Sequence, residues 1–151
     1  MATRRVYLFR LQILIIDGGL LVLRNILDQK LNSLGISFDT CMNSEKQTIT
    51  RLRSRGVITN AQYDILFPSG GKVPTSSDLD ITLIICLLRG LRCFGLNKRF
   101  DWKVTPNKTD ISTEADIWRL KDYRNNVSFK EELSVMLFQC VYNMASFVFY
   151  E

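Results

Sequence analysis

The segment Asp80–Leu91, DITLIICLLRGL, decides the fold that the sequence predicts. Its apolar residues recur at helical spacing on one face and also cover much of the remaining surface; they are Ile81, Leu83, Ile84, Ile85, Leu87, Leu88 and Leu91. A helix that is apolar on nearly all sides has to be buried among other elements. We therefore expect an all-α protein in which this segment is the central helix of a bundle.

Capping residues predict where the later helices begin. Ser77, followed three residues later by Asp80, resembles a capping box with Asp in the usual Glu position, and it predicts the start of the central helix. Thr113 with Asp116 repeats this pattern and predicts a further helix after a loop over residues 97–112.

Two short helices are expected before the central one. Residues 45–55 are predicted to be helical up to Gly56, and Thr59 is a natural N-cap for a second helix that ends at residues 68–71, PSGG. Residues 32–43 are expected to form a loop, and residues 72–77 a linker.

Apolar residues also recur at spacings of three and four near the N-terminus, and these are Val6, Phe9, Ile13, Ile16, Leu20, Leu23 and Leu27. They predict one long helix that turns this face to a core. A hairpin turn at Asp17-Gly18-Gly19 is the alternative, because interior glycines cost a helix about 1 kcal/mol each. The stripe passes unbroken through the glycines, which favours a helix in which they permit close approach of another helix. Arg10, Asp17 and Arg24, on an adjoining line, predict a polar seam.

Arg124 lies on the predicted inward stripe of the last of these helices, a stripe formed by Ile117, Leu120, Arg124 and Val127. A buried guanidinium has to be paired or to face a wet cleft. One interpretation is an internal ion pair with an acid such as Asp17. The other is a cleft that holds phosphate, because a guanidinium binds phosphate oxygens in a bidentate manner. Spacing alone favours the ion pair.

The composition limits the chemistry and the partners. A chain of 151 residues with 46% apolar content fits a single domain, and its net charge of +5 favours polyanions such as RNA. The chain has no histidine, so acid–base catalysis would need a strongly shifted carboxylate, lysine or cysteine. Its four cysteines form no C-x-x-C pair, so we expect thiols in a cytoplasmic protein, with no metal and no cofactor.

Residues 133–150 form an apolar run without a charged residue. On length and hydrophobicity, a membrane anchor is an alternative to a final bundle helix. The two other apolar stretches carry Asp17, or Arg89 and Arg92, which makes spanning unfavourable. A membrane is therefore not the expected partner.

Several segments resemble a known family, in order along the chain: Asp17-Gly18-Gly19, Leu52-Arg53, Asn60-Ala61-Gln62-Tyr63-Asp64, Asp78-Leu79-Asp80-Ile81-Thr82-Leu83, Leu87-Leu88-Arg89, Glu114-Ala115-Asp116-Ile117 and Tyr123-Arg124-Asn125. The resemblance is to HEPN-like domains (higher eukaryote and prokaryote nucleotide-binding) of the DAZ-interacting zinc-finger ubiquitin-ligase type. Similar domains occur in many invertebrate proteins of apparent signalling or innate-immune type. The resemblance implies a bundle of roughly five to six helices. A HEPN-like domain would span residues 1–130, and a divergent apolar C-terminal helix over residues 131–151 would complete the bundle.

The resemblance further implies a homodimer with a shared cleft beside the motif helix. Arg124 and Asn125 match the first two positions of the family's nuclease motif, and Lys130 stands where active members have histidine. We therefore expect a catalytically inactive interaction and dimerisation domain that retains RNA or nucleotide binding through these three residues. Its partners would be a second copy, another protein or RNA. The open alternatives are a metal-independent endoribonuclease in which Lys130 or Asp17 replaces the missing base, and membrane tethering through residues 133–150.

Overall fold

The computed structural model describes residues 2–125 of the chain. This part contains six α-helices and no strand, which confirms the all-α prediction. The helices are α1 (Ala2–Leu34), α2 (Phe38–Ser44), α3 (Lys46–Ser54), α4 (Asn60–Leu66), α5 (Ile81–Gly90) and α6 (Thr113–Asn125). Two 3-10 turns, Ser76–Asp78 and Arg92–Phe94, precede and follow α5.

The chain forms two compact units. Of the described residues, the first contains 2–22 together with 97–125, and we call it the terminal unit. The second is Leu23–Leu96, which we call the central unit. The terminal unit contains α6, and the central unit contains α2 to α5.

Helix α5 is the buried helix that its sequence predicts. Its buried residues lie on several sides, and they are Ile81, Leu83, Ile84, Ile85, Leu87 and Leu88. The predicted cap is wrong, however, because Asp80 and not Ser77 holds the N-cap position. The Asp80 carboxylate accepts a hydrogen bond from the Leu83 amide at 2.7 Å. Ser77 lies inside the preceding 3-10 turn, where Asp78 accepts hydrogen bonds from the Thr75 amide and hydroxyl.

The short helices before α5 are confirmed by α3 and α4. Thr59 caps α4 as expected, since its hydroxyl accepts a hydrogen bond from the Gln62 amide at 3.1 Å. The predicted loop over residues 32–43 is partly wrong, because α2 begins at Phe38. Ser37 caps that helix by accepting a hydrogen bond from the Thr40 amide. The predicted linker over residues 72–77 likewise runs into the first 3-10 turn.

Helix α1 is one continuous helix through Gly18 and Gly19, so the hairpin alternative is excluded. The expectation that its whole apolar stripe faces a core is right for Leu23 and Leu27, which are fully buried. It is wrong for Val6, Phe9 and Ile13, whose side chains are 47%, 57% and 44% exposed. Helical spacing shows that side chains share a face, but burial requires a packed neighbour along the whole length of that face.

The close helix approach expected at the α1 glycines occurs at Gly19. Gly19 is buried, and a β-carbon added there would lie 3.1 Å from Cδ2 of Leu120 on α6. The absence of a side chain therefore lets α1 and α6 pack closely inside the terminal unit. None of the helices within residues 2–125 has the length and apolar character needed to cross a membrane. The apolar run over residues 133–150 lies outside the described residues.

Candidate binding site at the end of helix α6

Helix α6 starts from a cap that differs from the predicted one. The Ser112 hydroxyl accepts a hydrogen bond from the Ala115 amide at 3.2 Å, so Ser112 takes the capping role expected of Thr113. The carboxylate of Asp116, the residue expected to complete a capping box with Thr113, binds the Arg119 guanidinium at 2.8 Å.

Arg119 of this helix forms an ion pair that is largely buried. Its side chain is 13% exposed and that of Asp116 is 5% exposed, so the ion pair is shielded from water. The same guanidinium donates through Nη2 to the main-chain oxygens of Asn107 at 2.8 Å and Asp110 at 2.7 Å. Arg119 thereby ties the preceding loop to α6 and fixes its path. A shielded ion pair on this helix is thus formed by Arg119, five positions before Arg124.

Arg124 itself is exposed, as is Asn125, in the last turn of α6. The predicted inward stripe is right for Ile117 and Leu120, which are buried, but the expectation that Arg124 continues it is wrong. Tyr123 continues it instead and is 6% exposed. Positions three and four residues after Leu120 both fall near the same helix face, and the aromatic side chain takes the buried one. Val127 and Lys130, the remaining members of the stripe and of the motif, lie outside the described residues.

A small pocket opens beside this last turn, with a volume of about 160 Å³. We call it the α6 pocket. The residues that line it are Trp102, Lys103, Trp118, Lys121, Asp122 and Asn125. The motif asparagine is therefore part of a recess in the terminal unit, and Arg124 is its neighbour in sequence.

The two tryptophans of the pocket are held in place by main-chain and ring contacts. The Trp118 indole N–H donates to the main-chain oxygen of Trp102 at 3.1 Å, which joins α6 to the loop. The ring of Phe100 contacts that of Trp102 edge to face, with centroids 4.7 Å apart. Both indoles are half-buried, so each keeps part of its surface accessible. Such a fixed aromatic surface can stack on a planar group.

The charges around the α6 pocket favour an anion. Lys103 and Lys121 outnumber the single carboxylate of Asp122 among the lining residues. Lys121 and Arg124 are three positions apart on α6, so their cations are neighbours on the helix surface. The main-chain dipole at a helix C-terminus attracts cations, so any affinity for an anion has to come from these side chains. The arrangement can therefore combine stacking with neutralisation of a phosphate.

Sequence reasoning found Asn125 and Arg124 but missed the two tryptophans and two lysines. One signal was present in the sequence, because Trp118, Lys121 and Asn125 follow each other at spacings of three and four on one helix face. Trp102 and Lys103 carry no such signal, since they lie in a loop that Arg119 and Trp118 position.

The predicted polar seam of Arg10, Asp17 and Arg24 is divided between the two units. Arg10 and Asp17 are exposed residues of α1 in the terminal unit. Arg24 belongs to the central unit, where its Nη2 donates to the main-chain oxygens of Leu79 at 2.7 Å and Ser77 at 3.1 Å. These bonds give Arg24 a structural role at the start of α5. Over residues 2–125, no group of three or more acidic or cysteine side chains is placed to hold a metal ion.

Comparisons with known proteins add family information to this geometry. The chain matches the family model described as DZIP3/hRUL138-like HEPN over residues 36–149. It is similar to the E3 ubiquitin-protein ligase DZIP3 of Homo sapiens, at 35% identity over 63 residues, and to that of Mus musculus, at 32% over 63 residues. Each matched stretch is 42% of this chain but 5% of the relative, so the chain corresponds to a small part of those proteins. No solved structure matches the chain.

Proposed function

Because the chain belongs to the DZIP3/hRUL138-like HEPN family, as the sequence resemblance predicted, we propose that it is a non-cleaving interaction domain that dimerises and binds single-stranded RNA at the α6 pocket. The observation that carries this proposal is the position of the motif residues. Arg124 and Asn125 are exposed at the end of α6, and Asn125 lines a recess that also contains two tryptophans and two lysines.

RNA suits the pocket because its two chemical parts match the two kinds of side chain. A base stacks on the accessible surface of Trp102 or Trp118, a contact worth about 1–3 kcal/mol per base in single-strand binding proteins. The neighbouring phosphates are neutralised by Lys103, Lys121 and Arg124. A volume of about 160 Å³ is below the roughly 300–1,000 Å³ of sites for drug-sized ligands. The pocket therefore accepts one planar group of a strand and not an entire dinucleotide cofactor.

Binding without cleavage follows from the side chains that the chain has to offer. It contains no histidine, so no imidazole can take a proton from the attacking ribose hydroxyl. Lysine ammonium groups hold phosphate but are poor bases unless they are strongly desolvated. The relatives are named as E3 ubiquitin-protein ligases, but only 5% of their length is matched, so that activity is not transferred to this chain.

Dimerisation is supported by exposed apolar side chains on α1. Tyr7, Phe9, Leu14 and Leu21 are between 57% and 66% exposed. Apolar groups exposed together on one helix are typical of a protein–protein contact. Light scattering over a range of protein concentrations should therefore show a dimer, and a strict monomer at the highest concentration would remove this part of the proposal.

Isothermal titration calorimetry with a short single-stranded RNA tests the binding part. Lys121→Ala and Arg124→Ala should each weaken binding and lower the slope of log K against log salt by about one phosphate contact. Lys108→Ala removes an exposed cation of the loop before α6, outside the pocket lining. It is the matched control and should bind like wild type. Equal affinity in all four proteins would contradict the proposed site. Incubation of labelled RNA should leave it intact, and cleavage that is lost in Arg124→Ala would establish the endoribonuclease alternative instead.

A further inference from the structure

Two cysteines from distant parts of the sequence meet in the central unit. Cys41 lies in α2, and Cys93 lies in the 3-10 turn that follows α5, 52 positions later. Their sulfur atoms are 3.1 Å apart. A disulfide bond needs about 2.0 Å between the sulfurs, so the atoms have to approach by only about 1 Å, which is within the reach of small side-chain rotations.

We propose that Cys41 and Cys93 form a reversible dithiol–disulfide pair that peroxides oxidise. The RNA-binding proposal does not involve these residues, because neither lines the α6 pocket. The site is defined by the contact between the two sulfurs inside one compact unit. The third described thiol, Cys86, is half-buried and contacts the main-chain oxygen of Val57 at 3.9 Å.

The surroundings of the pair favour a small oxidant. Cys41 is fully buried, whereas Cys93 is half-buried, so a molecule the size of hydrogen peroxide reaches Cys93 while larger reagents are kept from Cys41. Either sulfur can act as hydrogen-bond donor to the other. When Cys93 donates, this hydrogen bond lowers the pKa of Cys41 and raises that of Cys93, although burial and the charge of Glu45 act against the ionisation of both. The thiolate is thus stabilised at Cys41, with the Cys93 thiol as its hydrogen-bond donor.

The oxidation balances with peroxide as the co-reactant. Cys93 passes its proton to the Cys41 thiolate, and the Cys93 sulfur attacks one peroxide oxygen. The O–O bond breaks, and the departing hydroxide leaves as water after taking up a proton from solvent. The resulting sulfenic acid is attacked by the Cys41 sulfur, which forms the S–S bond, breaks the S–O bond and releases a second water. The two thiols lose two electrons and two protons in total, and the peroxide is reduced to two waters. A reducing thiol reverses the reaction by exchange.

The disulfide would connect α2 to the turn after α5 and enclose α3, α4 and α5 in one covalent loop. A cross-link that closes so long a loop strongly lowers the conformational entropy of the unfolded chain. Oxidation is therefore expected to raise the melting temperature of the protein by about 5–15 °C, and a reducing thiol should return it to the original value.

Peptide mapping of the full chain after peroxide treatment tests the proposal. Reduced protein is oxidised with hydrogen peroxide, remaining thiols are alkylated under denaturing conditions, and the peptides are analysed by mass spectrometry. The expected product is a Cys41–Cys93 peptide with the mass of two hydrogen atoms missing, while Cys86 is alkylated. A Cys86→Ser/Cys140→Ser variant, which keeps only the pair, should oxidise to the same extent, and Cys93→Ser should lose both the linked peptide and the melting shift. Linkage to Cys86 or between chains, or sulfinic acid on Cys93 without any linkage, would overturn the proposal. Because the map uses wild-type protein, the result does not depend on the folding of a variant.

Discussion

Gly19 of α1 lies against Leu120 of α6, and a β-carbon on residue 19 would be 3.1 Å from Leu120 Cδ2. Because Leu120 is buried, it has little room to move away from a larger residue. We expect Gly19→Val to lower the free energy of unfolding by about 1–3 kcal/mol through overpacking, measured by urea denaturation. Gly19→Ala should cost less, since improved helix propensity offsets the smaller contact.

The cause of that loss can be separated by a double-mutant cycle with Leu120→Ala. If the two side chains compete for the same space, Gly19→Val should cost less in the Leu120→Ala background than in wild type. Equal costs in both backgrounds would show that Gly19 is required for another reason.

Arg119 should be the most sensitive charged residue of α6. Removing its guanidinium by Arg119→Met leaves the buried carboxylate of Asp116 without this partner and frees the carbonyls of Asn107 and Asp110. Breaking a buried ion pair from one side costs about 3–5 kcal/mol, and chemical denaturation would measure it. Arg99→Ala, at an exposed position of the same unit, is the control and should stay within about 0.5 kcal/mol of wild type. A similarly small change for Arg119→Met would show that its ion pair and its hydrogen bonds to the loop do not stabilise the fold in this way.

The true start of α5 can be decided by two alanine substitutions. Asp80→Ala should destabilise the protein by about 1 kcal/mol, because its carboxylate caps the Leu83 amide. Ser77→Ala should have little effect, since Arg24 binds the main-chain oxygen of Ser77 and not its hydroxyl. If Ser77→Ala were instead more destabilising than Asp80→Ala in thermal or urea unfolding, the capping box that the sequence predicted would be supported.

The ionisation of Asp78 should make the free energy of unfolding depend on pH. Hydrogen bonds from the Thr75 amide and from Lys72, at 3.1 Å, lower the pKa of the Asp78 carboxyl. A carboxyl whose pKa is lower in the folded state stabilises it above its ordinary pKa, and this contribution is lost as the pH falls through the folded value. The stability difference between wild type and Asp78→Asn should therefore be present at neutral pH and shrink in acid. A difference that is constant across urea titrations at several pH values would refute this.

The sequence predicts some elements better than others for physical reasons. Helix α5 is apolar on nearly all sides, so it has no stable alternative to burial, and the prediction was correct. The burial of Arg124 was wrong because helical spacing does not separate the positions three and four residues after Leu120, and Tyr123 took the buried one. The motif pair in the candidate site came from resemblance to a family.

Other parts of the candidate sites depend on contacts that no local pattern encodes. Trp102 reaches the α6 pocket because Arg119 and Trp118 hold the main chain of its loop. The path of a loop cannot be predicted from the spacing of apolar residues. The meeting of Cys41 with Cys93 requires the packing of several intervening helices. Tertiary structure alone brings such residues together.

The chain contains two tryptophans, and both line the α6 pocket. Ultraviolet excitation of indole therefore samples this recess alone, and the emission of the native protein is a label-free optical reporter of whatever enters it. A nucleobase stacked on either ring would quench that light, whereas a ligand held elsewhere on the molecule would leave it unchanged.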